Sequence, residues 1–445
     1  MLQNIIAGLQ GIIDHAMVGH FVGYTGNAAI GVSWQIIIVV IVFCTSVFTG
    51  MAVLVARFAG ANEPDKVNRV VYQSFLTAAG MAVVLGAAGW LAAPSLLNLV
   101  NAAPAVHAEA LPFLRTMFVG IMGMMMFFML GGAFRAAGDP HTPLRLGIAM
   151  TVLTIVFNVV LIPAFGAVGA AYGTVASSSL VSVYGIWRLL RPESVIHFEP
   201  GMDRRPDFTV IRSLFKFGLP TGVQGIAMNV GGVLMLRFIG SLEHSAEAQA
   251  AYTVGYAQLF SLITWTSVGL MGAAATIAGQ NLGARNPERA VEGVRVASHI
   301  GLGVAAVVGS MFLLAPRYLL AGFGMTDVLV IDIGETLLRY LSVSGFFITV
   351  ALSYTGGLQG TGDTRSPLYI SILSQVVVPI GICTVLGVTT GLTAEWVWTA
   401  ILIGHMTRCG LSVARFRQQK WRGIEVDLGP SKDEEIRNAK FKMQD

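Results

Sequence analysis

Charge is what this sequence has least of. Only 12% of its 445 residues are Asp, Glu, Lys or Arg, and 54% are hydrophobic. A soluble domain carries roughly 25% charged residues, so a water-soluble globule is excluded. Cysteine is scarce as well. Cys44, Cys383 and Cys409 all sit in apolar runs, at spacings that fit neither a metal site nor a disulfide framework. The first segment lacks a basic start and a small-residue cleavage site, so no cleavable signal peptide is expected. No nucleophile–base pair, metal-ligand cluster or glycine-rich phosphate loop stands out, which argues against an enzyme, against ATP coupling and against a bound cofactor. The net charge of +4 arises from basic residues spread over many short loops, which is no nucleic-acid signal.

What fills the chain is apolar runs of about 20 residues, long enough to cross a bilayer. Twelve helices are expected, at about 2–22, 30–56, 70–93, 112–133, 144–163, 169–189, 214–239, 249–280, 293–315, 334–357, 367–388 and 393–413. The chain is also written twice. GlyAlaAsnGluProAspLys (60–66) returns as GlyAlaArgAsnProGluArg (283–289). The Gly132–Asp139 turn with Pro143 returns as Gly357–Asp363 with Pro367, and Gly166 and Gly169 return as Gly387 and Gly391. The offset is about 221 to 224 positions, half the chain, and marks a duplicated unit. Six helices per half make the halves parallel repeats. The expectation is an all-α polytopic membrane protein with twelve transmembrane helices in two six-helix lobes, related by a pseudo-two-fold axis along the membrane normal. Residues 1–190 form the first lobe, 191–212 a polar linker with Pro192, Pro200 and Pro206, 213–413 the second lobe and 414–445 a charged tail.

Most of the 28 basic residues fall on one side. They occupy the loops after helices 2, 4, 8 and 10, the linker, and a C-terminal group that includes Arg408, Arg415, Arg417, Lys420 and Arg422. The positive-inside rule then makes both termini and the linker cytoplasmic, in a multi-pass protein of the inner (plasma) membrane. The tail is read either as solvated or as lying on anionic lipid with Trp421 among the headgroups.

AspHisAlaMetValGlyHisPheValGly (14–23), the 60–66 loop and the ArgAlaAlaGlyAsp turn (135–139) resemble motifs of the MATE (multidrug and toxic compound extrusion) family. So do ValPheAsnValValLeuIlePro (156–163) with GlyAlaValGlyAlaAla (166–171), LysPheGlyLeuPro (216–220), 279–290 and LeuGlnGlyThrGlyAspThr (358–364). The resemblance covers nearly the whole chain. It implies an antiporter that expels small organic, mostly cationic compounds in exchange for protons or sodium, switching between outward-open and inward-open V shapes. Three departures matter. The first-half counterpart of LysPheGlyLeuPro would fall just before Met1, so the sequence is expected to begin inside its first helix. Ile162 stands where the family often has an aspartate four residues after Asn158. The stretches 220–236 and 341–362 contain no Asp or Glu, which brings the pattern closer to the DinF-like than to the NorM-like branch.

Asp14 is the strongest candidate for ion coupling. It lies about 13 residues into a helix starting on the cytoplasmic side, roughly 20 Å along it. A carboxylate there costs on the order of 2.5–3.5 kcal/mol, and taking up a proton relieves that cost. The bland alternative is an acid that only hydrogen-bonds neighbouring helices. Asp14 has no acidic twin: its repeat position falls near Met235 to Arg237. Asn158 in the fifth helix is expected to hold it, with Thr174, Gln35 and Ser33 extending the polar cluster; for Asn158 a plain interhelical hydrogen bond is the alternative. His15 points some 100° away from Asp14.

For a substrate cavity the candidates are less specific. Met124, Met125, Met126, Phe127 and Phe128 make a soft, aromatic run suited to varied ligands, or to ordinary packing. Gln35, Gln224, Asn229, Gln258, Thr264, Trp265, Gln280 and Gln375 are polar or amphipathic groups of which some should line a central cleft. Arg115, Glu109, Glu335 and Arg339 are expected as structural pairs at the external end, and Arg237 as a snorkelling helix-end residue. Sodium-coupled efflux is the alternative to proton coupling. A lipid-linked precursor flippase of the same superfamily is a further one, disfavoured because it needs a more basic cavity than Arg115, Arg237 and Arg339 supply. The expected partners are small organic substrates and membrane lipids, in a monomer without nucleic acid.

Overall fold

The computed structural model of the protein describes residues 22, 24–100, 103–198, 204–389, 391–426 and 428. The expected first helix, with Asp14 and His15, lies outside the described residues. Those that are described form helices and the turns between them, in the order α1 (Tyr24–Gly60), α2 (Pro64–Leu99), α3 (Pro104–Val119), α4 (Ile121–Ala137), α5 (His141–Phe165), α6 (Ala167–Leu189) and α7 (Phe208–Gly240). There follow α8 (Ser245–Tyr252), a wide π-turn segment (Thr253–Leu259), α9 (Ser261–Gly283), α10 (Pro287–Leu314), the short α11 (Pro316–Ala321) and α12 (Val328–Gly360). The chain then runs through α13 (Arg365–Ile372), a second π segment (Leu373–Val377), α14 (Val378–Thr389) and α15 (Ala394–Arg417).

Eight described spans are long and apolar enough to cross a bilayer, and α3 with α4 form a ninth, bent by 52° at Gly120. The spans of α6 and α15 are more polar, because each turns a buried polar face to its own lobe: Thr174, Ser177, Ser178 and Ser182 in α6, His405, Arg408 and Ser412 in α15. With them, eleven of the twelve expected spans are in place. The expected 112–133 helix is two helices, and two others contain π segments, one directly ahead of Pro379. Proline has no N–H to give to the preceding turn, and a widened turn absorbs that loss.

The sequence repeats reappear as matched backbone geometry. Asn62 and Arg285 are both left-handed, with φ of 58° and 56°, and Gly138 and Gly362 have φ of 99° and 95°. Each Asn62-type turn stops one helix and is followed by a proline at the first turn of the next, Pro64 or Pro287, where the missing N–H costs nothing. Asp139 and Asp363 do the same service one turn later. Asp139 accepts from the backbone N–H groups of His141 and Thr142, and Asp363 from that of Ser366.

The linker is a strap on α2, ending at residue 207, five residues earlier than the sequence suggested. The Phe198 ring packs edge-on against Tyr72 at 5.4 Å, and Gln73 donates to the Arg205 carbonyl at 2.8 Å. Asp207 pairs with Arg69 and caps α7 by accepting from Thr209 and Val210 N–H. Burial works against its charge, but Arg69 and the two N–H groups prevail and hold the carboxyl below the usual aspartate range. A carboxyl so depressed stabilises the fold at neutral pH, begins to lose that contribution at the usual aspartate range and loses it fully only below its own lowered value. Asp207→Ala should therefore cost about 1–2 kcal/mol at pH 7. Thermal unfolding of parent and variant should converge below about pH 4; a gap unchanged at pH 3 would remove the ionic contribution.

Candidate functional site

The two halves meet along a seam near the ends that carry the basic loops. A Cβ on Gly60 would lie 1.9 Å from the Gln280 carbonyl oxygen, and one on Gly283 2.0 Å from the Arg57 carbonyl oxygen. Gly60 and Gly283, like Arg57 and Gln280, are repeat partners, so the two contacts exchange under the pseudo-two-fold. Gly279 and its partner Ala56 sit at the crossing point, where a Cβ on the glycine would be 2.8 Å from that of the alanine. Backbones approach this closely only where side chains are missing, the usual device for joining helices in lipid. Along the same seam α7 lies on α1, with Gly218 against Ser46 and Gly225 against Val42. Farther along, at Gly231, α7 turns to the α13–α14 span instead, meeting Gln375 and Val376.

The C-terminal segment crosses this seam. Trp421 is fully buried, stacked on Phe416 at 5.0 Å and donating its indole N–H to the Phe416 carbonyl. Arg422 reaches Glu288, and Arg57 of the first half donates to the Ile424 carbonyl. Leu428 is buried in the core shared by the first half and α7. Both sequence readings of Trp421, solvated or in headgroups, are thus replaced: the short turn after α15 folds back, and the ring finds an aromatic partner.

Within the first half, α5 and α6 enclose a polar pocket. Asn158 is wholly buried, and its Oδ1 occupies the space that a Cβ on Gly173 would need. One turn away, Thr154 and Ser177 share a 2.6 Å hydrogen bond between their hydroxyls. Thr174, 8% exposed, returns its hydroxyl to the Ala170 carbonyl. Asn158 and Thr174 are thus brought to one helix pair as the sequence suggested, together with Thr154 and Ser177, which it missed. Their signal was present: Thr154 is four residues before Asn158 and Ser177 three after Thr174, which places each pair on one helix face. Ser33 is buried in α1, and Ile162 is buried at the position where the family often has an aspartate. Gln35 is exposed.

The candidate cavity residues do not converge. Met124, Met125 and Met126 are at most 4% exposed and pack in the core of the first half, so Met124 lines no open cavity; only Phe128, 37% exposed, faces outward from that run. A methionine fills an internal gap as readily as it meets a ligand. Gln280 donates to the Ala136 carbonyl at 2.9 Å and belongs to the seam rather than to a cleft. Gln224 is buried, donating to Ser371 at 2.8 Å and accepting from Gln359. Asn229, Gln258 and Trp265 are exposed. Arg339 pairs with Glu335 at 2.6 Å as expected, Glu335 also takes Arg317, and Arg115 lies over the Trp90 ring instead of forming a pair. Arg237 is exposed in the last turn of α7.

By sequence Arg408 belongs with the C-terminal basic residues expected at the membrane surface. It is instead 2% exposed, inside α15 and beside His405, which is equally buried. A His and an Arg three positions apart within an apolar run were the available signal.

The MatE family model matches residues 1–160 and 220–385, one match in each half. Among curated relatives, the probable multidrug resistance protein NorM of Thermotoga maritima is 24% identical over 95% of this chain and 90% of its own length. The multidrug resistance protein MdtK of Pectobacterium atrosepticum is 25% identical over 92% and 91%. A crystal structure of MATE in the straight conformation superposes with a TM-score of 0.86 at 21% identity, covering 95% of both chains. An outward-facing multidrug resistance MATE family transporter does so with a TM-score of 0.87, at 20% identity and again over 95% of both. These relatives are transporters, not enzymes. With a family match spanning both repeats, and a two-lobed helical fold to go with it, the chain belongs to the MATE family.

Proposed function

We propose that this protein is a secondary active antiporter that exports small organic, mainly cationic compounds against an inward cation gradient, with protons as the coupling ion and Asp14 as the coupling group. The observation that carries the reading is the seam. Two like lobes touching at glycines near one end can separate there and close at the other without unpacking either lobe, which is alternating access by rocking. The buried polar pocket of Asn158, Thr154, Thr174 and Ser177 supports ion coupling in the first lobe. The stretches 220–236 and 341–362 of the second lobe carry no acid, which favours the DinF-like arrangement. A single carboxylate suits a proton better than sodium, which takes several oxygen ligands.

The test is counterflow in proteoliposomes with a panel of dyes, under a proton gradient and a sodium gradient applied separately. Efflux is expected with the proton gradient alone. A strict sodium requirement would overturn the choice of ion, and no export of any dye under either gradient would overturn the antiporter.

The basic loops put both termini and the strap in the cytoplasm of a plasma-membrane protein. A cysteine introduced at Glu193, on the exposed strap, should react with an impermeant maleimide only after cells are permeabilised. One at Glu243, after α7, should react in intact cells. Labelling of the strap from outside would reverse the orientation.

A further inference from the structure

We propose that the second lobe holds a small monovalent inorganic anion of halide size beside Arg408. Trp398, His405, Arg408 and Ser412 are all at most 2% exposed, and at 100° per residue they fall within about 80° of arc on one helix face. Arg408 lies about 21 Å from the first residue of α15 and about 13 Å from the last, far from either end. Against this face stands an aromatic wall from α8, its π segment and the residue that follows it. Tyr252 stacks on Trp398 at 6.0 Å, Tyr256 on His405 at 6.4 Å and Phe260 on His405 at 5.8 Å.

No carboxylate is present at this depth among the described residues. Their ion pairs leave Arg408 out. On the elements packed around it, Glu395 is in the first turn of α15, Asp332 and Glu335 near the start of α12, and Glu247 at the start of α8. Asp363, past the far end of α12, is taken by Arg415 at 2.8 Å. A buried cation without a counter-charge is among the costliest arrangements in a protein interior.

Within about 6 Å along the α15 axis of Arg408, His405 Nδ1 and the Ser412 hydroxyl are buried without a hydrogen-bond partner, as are Arg408 Nε itself and Gln375 Nε2. Gln375 Nε2 lies 3.6 Å from where a Cβ on Gly404 would be, which brings it to α15 close to the Arg408 face. The guanidinium and the amide nitrogen can only donate, and a hydroxyl can donate. The surplus is of donors and of positive charge, and a halide answers both, whereas water brings donors of its own. Tyr256 and Gln375 also sit on the two π segments, and such local widenings of a helix are frequent at functional sites.

The experiment uses the full-length purified protein in lipid nanodiscs. Chloride is exchanged for gluconate at constant ionic strength, and thermal unfolding is followed by intrinsic fluorescence. The parent should unfold about 1.5 °C or more higher in chloride once chloride is tenfold above its Kd. Arg408→Met keeps the length and removes the charge, and the dependence should vanish. Equal stability in both salts, or a dependence undiminished in Arg408→Met, would overturn the site. Should that variant fail to fold, crystals of the parent grown in bromide decide: an anomalous peak beside Arg408 supports the site, and a blank map there refutes it.

Discussion

Asp14→Asn is expected to abolish gradient-driven efflux while leaving expression and fold intact. The amide is nearly isosteric with the protonated acid and cannot release a proton, so the transporter would be held in its loaded form. Removing a carboxylate whose insertion costs on the order of 2.5–3.5 kcal/mol does not threaten folding. Substrate affinity should also lose pH sensitivity, since proton and substrate compete through the same group and linkage is reciprocal. The measurement is dye efflux from proteoliposomes under an imposed proton gradient, with equilibrium binding at several pH values. Undiminished proton-driven efflux by a correctly inserted variant would refute the assignment. Asn158→Ala should give a partial loss, because its carboxamide is buried in the pocket proposed to hold the loaded acid.

The second large effect is expected at the seam. Gly283→Val places a branched side chain where a Cβ already lies 2.0 Å from the Arg57 carbonyl oxygen. That atom is backbone and cannot rotate away. Overpacking of this kind costs about 1–3 kcal/mol, equivalent to a shift of roughly 5- to 150-fold in the balance between seam-closed and seam-open states. Transport should fall about fivefold or more by the same arithmetic, and a cysteine at Ala56, 1% exposed in the seam, should become accessible from the cytoplasmic side. Gly303→Val in α10 is the control, since nothing lies within 4 Å of its Cβ position. Full transport by Gly283→Val, with Ala56→Cys still protected, would exclude rocking about this contact.

The helices and the repeat were legible in the sequence because they are written in local terms. Apolar runs long enough for a bilayer fix which segments cross. Motifs such as 60–66 and 283–289 recur because each specifies the same left-handed turn, at Asn62 and Arg285, and the same proline start. Asn158 and Thr174 could be placed in one pocket from motif and spacing alone. Burial inside a lobe could not be read in this way. In lipid, the outer face of a helix is as apolar as its packed face, so hydropathy carries no moment that distinguishes them. For that reason the Met124–Met126 run looked equally fit for a ligand and for a core, and only the packing put it in the core.

What the sequence by itself determined, then, is the family, the span pattern and the duplicated turns, all set by local composition and by order along the chain. The tertiary structure alone decided the seam at Gly60, Gly279 and Gly283, the seam position of Gln280 and the fold-back of Trp421. It also decided that Arg408 sits deep in the second lobe rather than at the surface. Each depends on contacts between segments remote in sequence, and the free energy of a buried charge or a close backbone approach is set by what stands opposite it, which no single segment encodes.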